Sequence, residues 1–151
     1  MHMIRVAIIV ACVICAMPRV VYADCGNLYY YTECNGEFED FSVEVCFDED
    51  YTDTEKVFVL MEKLFENEND YLSYVPEGTK IIDCAVSDNK AYINLSKEAL
   101  NCGGNSNQTL FVEQIVNTVY SIEEIRGIIV MVDGEVSGLT EGYDFEYYNR
   151  N

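Results

Sequence analysis

YVPEGTKIIDCAVSDNKAYINLSKEAL, from Tyr74 to Leu100, holds a proline-glycine turn, a short hairpin and a helix start in close succession. Lys80 to Val86 and Lys90 to Ser96 flank Asp88-Asn89, two residue types that tolerate the left-handed backbone of a tight hairpin turn. A two-residue turn there makes Ile82, Cys84 and Val86 face Leu95, Ile93 and Ala91. All six lie on one apolar face, while Ile81 and Tyr92 point to the other. That alternation predicts a β-hairpin covered on one side.

Upstream, Leu28 to Cys34 and Glu37 to Phe47 flank Asn35-Gly36, the dipeptide best suited to a type I′ turn. Tyr30 then meets Phe41 and Leu28 meets Val43, while Tyr29 meets Ser42 and Tyr31 meets Asp40. Thr52-x-x-Glu55 is a capping box, and Val57, Leu60, Met61, Leu64 and Phe65 recur at helical spacing, which predicts a helix from about Asp53 to Glu66. Downstream of the opening stretch, Gly103-Gly104 leads into a second helix, with Ser106 or Asn107 as its expected cap and Phe111, Ile115, Val119 and Ile122 as its core stripe. The loop lacks the Gly-Lys-Ser/Thr ending of a phosphate cradle. Arg126 to Val132 is a strand apolar on both faces, closed by Asp133-Gly134; the aromatic tail from Tyr143 to Tyr148, or a partner, is expected to cover its second face.

Arg5 followed by the apolar run Val6 to Ala16 and by Val21-Tyr22-Ala23 reads as a secretory signal over residues 1–23. The run is shorter than the roughly 20 residues that cross a bilayer. Ile9-Val10-Ala11-Cys12 has lipobox chemistry but stands only three residues from Arg5, which disfavours a lipoprotein. Residues 24–151 then form one domain, with a core from about 28 to 139 and an acidic aromatic tail over 140–151. The chain holds 27 acidic and 9 basic residues, a net charge of −18; losing Arg5 and Arg19 with the signal makes it −20. Half of the chain is apolar, so the acidity does not imply disorder. Such a charge repels nucleic acid and anionic lipid, and the expected partners are proteins with basic surfaces. His2, the one histidine, lies in the signal, which leaves the exported part without Ser-His-Asp or Cys-His chemistry and without an imidazole for zinc.

The order β-hairpin, helix, β-hairpin, helix, strand resembles the GerMN family of sporulation and spore-germination domains from about Leu28 to Leu139. The matching words are Pro76-Glu77-Gly78-Thr79, Ala91-Tyr92-Ile93-Asn94-Leu95-Ser96, Gln114-Ile115-Val116-Asn117-Thr118, and Ile128-Ile129-Val130 leading to Asp133-Gly134. The resemblance implies an α+β, two-layer sandwich similar to ring-building motifs, with two helices on one face of a small mixed β-sheet. It also implies an exported, non-enzymatic role in sporulation or germination through protein–protein assembly, with no catalytic residue, cofactor or metal. The family's best-known member has two such domains in tandem, whereas this chain has room for one.

Five cysteines follow the signal: Cys25, Cys34, Cys46, Cys84 and Cys102. The first hairpin's register sets Cys25 opposite Cys46 at a non-hydrogen-bonded position, where side chains are closest, and this predicts a bridge between them. Cys84 reads as a small buried hydrophobe rather than as a partner of Cys102. Asp48, Glu49, Asp50, Asp53 and Glu55 are dense enough to raise calcium binding as the alternative function, but they lack the glycine and terminal glutamate of an EF-hand loop. Tyr29, Tyr31, Ile81 and Tyr92 are expected on the sheet face away from the helices, as an amphipathic cluster suited to a protein interface.

Overall fold

The computed structural model describes residues 24–136 and the backbone of residues 148–149. The expected signal segment, the end of the core and most of the aromatic tail lie outside the described residues. Strands β1 (Cys25–Cys34) and β2 (Glu37–Cys46) precede helix α1 (Asp53–Glu66); β3 (Ile81–Ser87) and β4 (Lys90–Leu95) follow, then a 3-10 turn (Lys97–Leu100), helix α2 (Asn105–Tyr120), β5 (Gly127–Val132) and β6 (Tyr148–Asn149). The architecture is α+β, and its strands divide into two sheets. β1 and β2 stand alone, while β3, β4, β5 and β6 form a four-stranded sheet in that order, parallel only between β4 and β5.

Both hairpins turn on two left-handed residues, Asn35 with Gly36 and Asp88 with Asn89. The first pairs Tyr30 with Phe41 and Leu28 with Val43. In α1 the Thr52 hydroxyl accepts from the Glu55 amide and the Glu55 carboxylate accepts from the Thr52 amide, so two donors at the helix start are satisfied. Asn67 closes the helix in a left-handed conformation, donating to Lys63 O. Leu60, Met61 and Leu64 of α1 meet Phe111, Ile115 and Val119 of α2 and Ile93, Ile128 and Val130 of the larger sheet in one buried cluster.

Two local expectations change. A β-bulge between Ile81 and Asp83 shifts the pairing, so Ile81 rather than Ile82 stands opposite Leu95. Ile81 packs against the core and Ile82 is 51% exposed. The extra residue inverts the alternation at the strand start. Lys80 and Ser96 lock the shifted register beyond it: the Ser96 amide donates to Lys80 O at 2.9 Å and the Lys80 amide to Ser96 Oγ at 3.0 Å. At α2, neither Ser106 nor Asn107 caps the helix. Gly104 does so without a side chain, at φ 134°, a backbone that favours glycine.

The separation of the sheets follows from how the outer edge of β1 is satisfied. Its non-hydrogen-bonded residues turn their backbone groups away from β2, and α2 with the Ser121 that caps its end meets them with a polar stripe, Gln114, Thr118 and Ser121, four and three residues apart. The Asn27 amide donates to Ser121 Oγ at 2.7 Å and the Tyr29 amide to Thr118 Oγ1 at 3.2 Å. Gln114 Nε2 donates to Tyr29 O at 2.9 Å, while its Oε1 accepts from the Tyr74 amide at 3.0 Å. The Tyr31 amide continues the edge to Leu72 O at 3.0 Å. Gly26 permits this approach: a Cβ there would stand 2.7 Å from Leu60 Cδ1 and 3.0 Å from Ser121 Oγ.

Gln114 is fully buried and joins β1, the 71–75 segment and α2. Gln114→Leu keeps the volume but leaves Tyr29 O and the Tyr74 amide without these partners. Urea denaturation is expected to show a loss of about 1–3 kcal/mol with an unchanged slope, and undiminished stability would contradict the role given to this residue.

Candidate functional site

The four residues expected to form one outward cluster are distributed over three environments. Tyr29 and Tyr31 lie half-buried on β1 against α2, where the Tyr31 hydroxyl donates to Leu110 O at 3.1 Å. Tyr31 also meets Tyr74 edge-on, ring centroids 5.2 Å apart. Ile81 is turned toward the core by the bulge. Tyr92 alone remains on the sheet face away from the helices, opposite Ala85 on one side and Ile129 on the other. The expectation assumed one continuous sheet. Two sheets, with α2 lying along the edge of the first, place the tyrosines of β1 beside a helix.

The side of the hairpin that carries Leu28 and Tyr30 is structural. Tyr30, Phe41 and Tyr71 form a ring cluster, with Tyr71 5.0 Å from each of the other two. Burial first, and then Tyr71, push the Tyr30 phenol up to about 12. Beyond this cluster residues 32–40 are exposed on both strands, so the hairpin projects as an arm. The arm carries Glu33, Glu37, Glu39 and Asp40, with Phe38 60% exposed among them. Where it leaves the body, Tyr31, Phe38 and Asp40 face Leu110, Glu113 and Asn117 of α2 across a cleft of about 290 Å³.

A second, more apolar groove of about 360 Å³ lies between α1 and the start of β3. It is lined by Phe58, Phe65 and Ile81, with Glu62, Glu66 and Lys80 at its margin. Sequence patterning did not single out either cleft, because each joins elements far apart in the chain. The signals that point to the first are the polar stripe Gln114, Thr118 and Ser121, which brings α2 to β1, and Phe38, an apolar residue amid acids.

Cys25 and Cys46 are disulfide-bonded, with the sulfurs 2.06 Å apart, and Cys34, Cys84 and Cys102 are free thiols. Glu44 brings a carboxylate beside the bonded pair, but the two sulfurs are already committed to each other. Cys84 and Cys102 occupy different places: Cys84 Sγ lies 3.7 Å from Thr54 O, and Cys102 Sγ lies 3.1 Å from Ala99 O. Burial pushes each thiol up to about 11, with the Asp83 charge adding to it at Cys84. Cys34 is exposed at the tip of the arm. Within the acidic run after β2, Glu55 serves the capping box and Asp53 pairs with Lys56 at 3.0 Å. Lys56 is buried between Asp24 and Asp53; burial opposes its charge, but the two carboxylates outweigh it and hold the ammonium above its usual range.

The described residues thus define a small acidic α+β domain with an apolar core, a projecting acidic arm and open clefts at its surface. The chain belongs to the Germane family, described as sporulation and spore germination, whose model matches residues 27–138. Solved structures share the fold. A candidate lipoprotein from Clostridium perfringens is 22% identical, with a TM-score of 0.58 over 87% of this chain and 90% of the other. The tandem GerMN domains of the sporulation protein GerM from Bacillus subtilis are 14% identical, with a TM-score of 0.63 over 91% of this chain and 48% of that one. The first GerMN domain of GerM alone is 16% identical, with a TM-score of 0.59 over 80% and 91%. This chain therefore spans about half of the tandem pair. At these identities the likeness is one of fold. None of the curated proteins matches the chain.

Alkylation tests the cysteine assignment. In the native oxidised protein at pH 8, iodoacetamide is expected to reach Cys34 first and to spare Cys25 and Cys46. Labelling of Cys84 and Cys102 should rise about tenfold per pH unit up to a pH near 11, because the thiolate is the nucleophile. Peptide mass mapping reads the order; modification of Cys25 without reductant would contradict it.

Proposed function

We propose that this protein is an exported, non-enzymatic domain that serves sporulation or spore germination by assembling with a protein partner of basic surface. Membership of the Germane family carries this reading. The expected signal over residues 1–23 supports export, as does the fold shared with a candidate lipoprotein. Among the described residues, no helix is long and apolar enough to cross a membrane.

A general acid needs a carboxyl group raised toward neutral pH. Glu55 and Glu98 are not such acids, because both are moved downward, Glu55 by hydrogen bonds from Thr52 and Glu98 first by one from the Ser96 hydroxyl. The net charge of −18 supports a partner of basic surface, because such a charge disfavours nucleic acid and anionic membrane while favouring basic proteins. Of the calcium reading's five carboxylates, Asp53 and Glu55 are already engaged with Lys56 and Thr52.

Disrupting the coding sequence in the source organism tests this function. Vegetative growth should be unchanged, whereas the yield of heat-resistant spores or the rate of their germination should fall. Normal spores that germinate at the normal rate would contradict it.

A further inference from the structure

The cleft at the base of the hairpin arm combines features that point to one kind of ligand. Tyr31 and Asp40 are cross-strand partners, and Phe38 lies two residues along β2 on the same side of the hairpin. Leu110, Glu113 and Asn117, spaced three and four apart, present one face of α2 across the gap. The bond from the Tyr31 hydroxyl to Leu110 O fixes the width of the cleft on its inner side. Tyr74, packed edge-on, holds the Tyr31 ring in place. The α2 wall and the Tyr31 floor are therefore held by the body of the domain, whereas Asp40 and Phe38 belong to the arm, with Phe38 60% exposed at the mouth.

The charge in the cleft has one sign. Its lining holds two carboxylates and no cation. Asp40 and Glu113 act on the same point, since both help burial push the Tyr31 phenol up to about 12, with Glu113 the stronger of the two. Two carboxylates beside aromatic rings and a leucine suit a side chain with an apolar stem and a cationic head. Arginine fits best, because its planar guanidinium pairs with carboxylates and stacks on rings.

We propose that this cleft binds a basic segment of a partner protein, with an arginine side chain seated between Asp40 and Glu113 and its stem against Phe38. This deepens the function proposed above by locating its contact. It can fail while the sporulation role stands, because direct binding and spore phenotype are separate readouts.

Chemical-shift mapping on the 15N-labelled full chain tests it. The probe is acetyl-Arg-Leu-Arg-Ala-Arg-amide, and the control is the same peptide with citrulline, which keeps the shape of arginine without its charge. Saturable shifts are expected at the amides of Tyr31, Phe38, Asp40, Leu110, Glu113 and Asn117, with none from the citrulline peptide. The double variant Asp40→Asn/Glu113→Gln should weaken binding about tenfold, as for loss of a close charge pair. Phe38→Ser should weaken it severalfold at constant charge. Both carboxylates and Phe38 are exposed, so these variants should keep the dispersed amide spectrum of the native fold. Glu62→Gln/Glu66→Gln, which removes the same charge at the other groove, should leave binding unchanged. Equal weakening by both pairs of substitutions, shifts spread over the whole acidic surface, or no saturable shift would overturn the proposal. So would calcium moving these amides when the peptide does not.

Discussion

The outer edge of β1 is the constraint on which the rest of the structure depends. An unpaired strand edge inside a domain leaves amide and carbonyl groups out of water, each costing about 1–3 kcal/mol if unsatisfied. Another strand is the usual solution. Here the edge is met by Thr118 and Gln114 of α2 and by Ser121 at its C-terminal cap, and further along by Leu72 O. Because a helix occupies the position a strand would take, the first hairpin does not join the four-stranded sheet. Gly26 lets α1, α2 and β1 approach one another, and Gln114 extends the same contact to the 71–75 segment. Beyond Tyr31 both strands are exposed over residues 32–40, and this distal half forms the acidic arm.

Much of this fold was legible because it rests on local chemistry. Asn35-Gly36 set the register of the first hairpin, Thr52 and Glu55 set the start of α1, and the stripe Phe111, Ile115, Val119 and Ile122 gave the buried side of α2. What escaped depends on contacts distant in sequence. The bulge at Ile81 and Ile82 cannot be seen in alternation alone, since both residues are isoleucine and either satisfies the pattern. Its anchor, the exchange between Lys80 and Ser96, spans the hairpin. Gly104, at φ 134°, stands at the cap of α2 in place of the expected Ser106 or Asn107, because the helix begins at Asn105, before either could cap it.

The candidate site was less legible. Assigning Tyr29, Tyr31 and Tyr92 to one face required one sheet, and nothing local says whether two hairpins join. The clue lay on α2, where Gln114, Thr118 and Ser121 recur at helical spacing beside an apolar stripe. Gln114 and Thr118 are fully buried, and buried polar residues are hydrogen-bonded. Their partners are the amide and carbonyl of Tyr29 on the open edge of β1, with the Tyr74 amide and the Ser73 hydroxyl beside them. With α2 set against β1, Tyr31 becomes the floor of a cleft, and Asp40, Glu113 and Phe38 become its rim. The same contact therefore governs both the division of the sheets and the position of the acidic cleft.

Native-state hydrogen exchange tests that contact most directly. The amides of Asn27, Tyr29 and Tyr31 lie on the edge of β1 turned away from β2, and Glu33 continues the same edge into the exposed arm. If α2 and Leu72 close this edge, Asn27, Tyr29 and Tyr31 exchange as slowly as the cross-strand amides of Leu28 and Tyr30, while Glu33 exchanges fast. Exchange of all four at the rate of Glu33 would contradict the account.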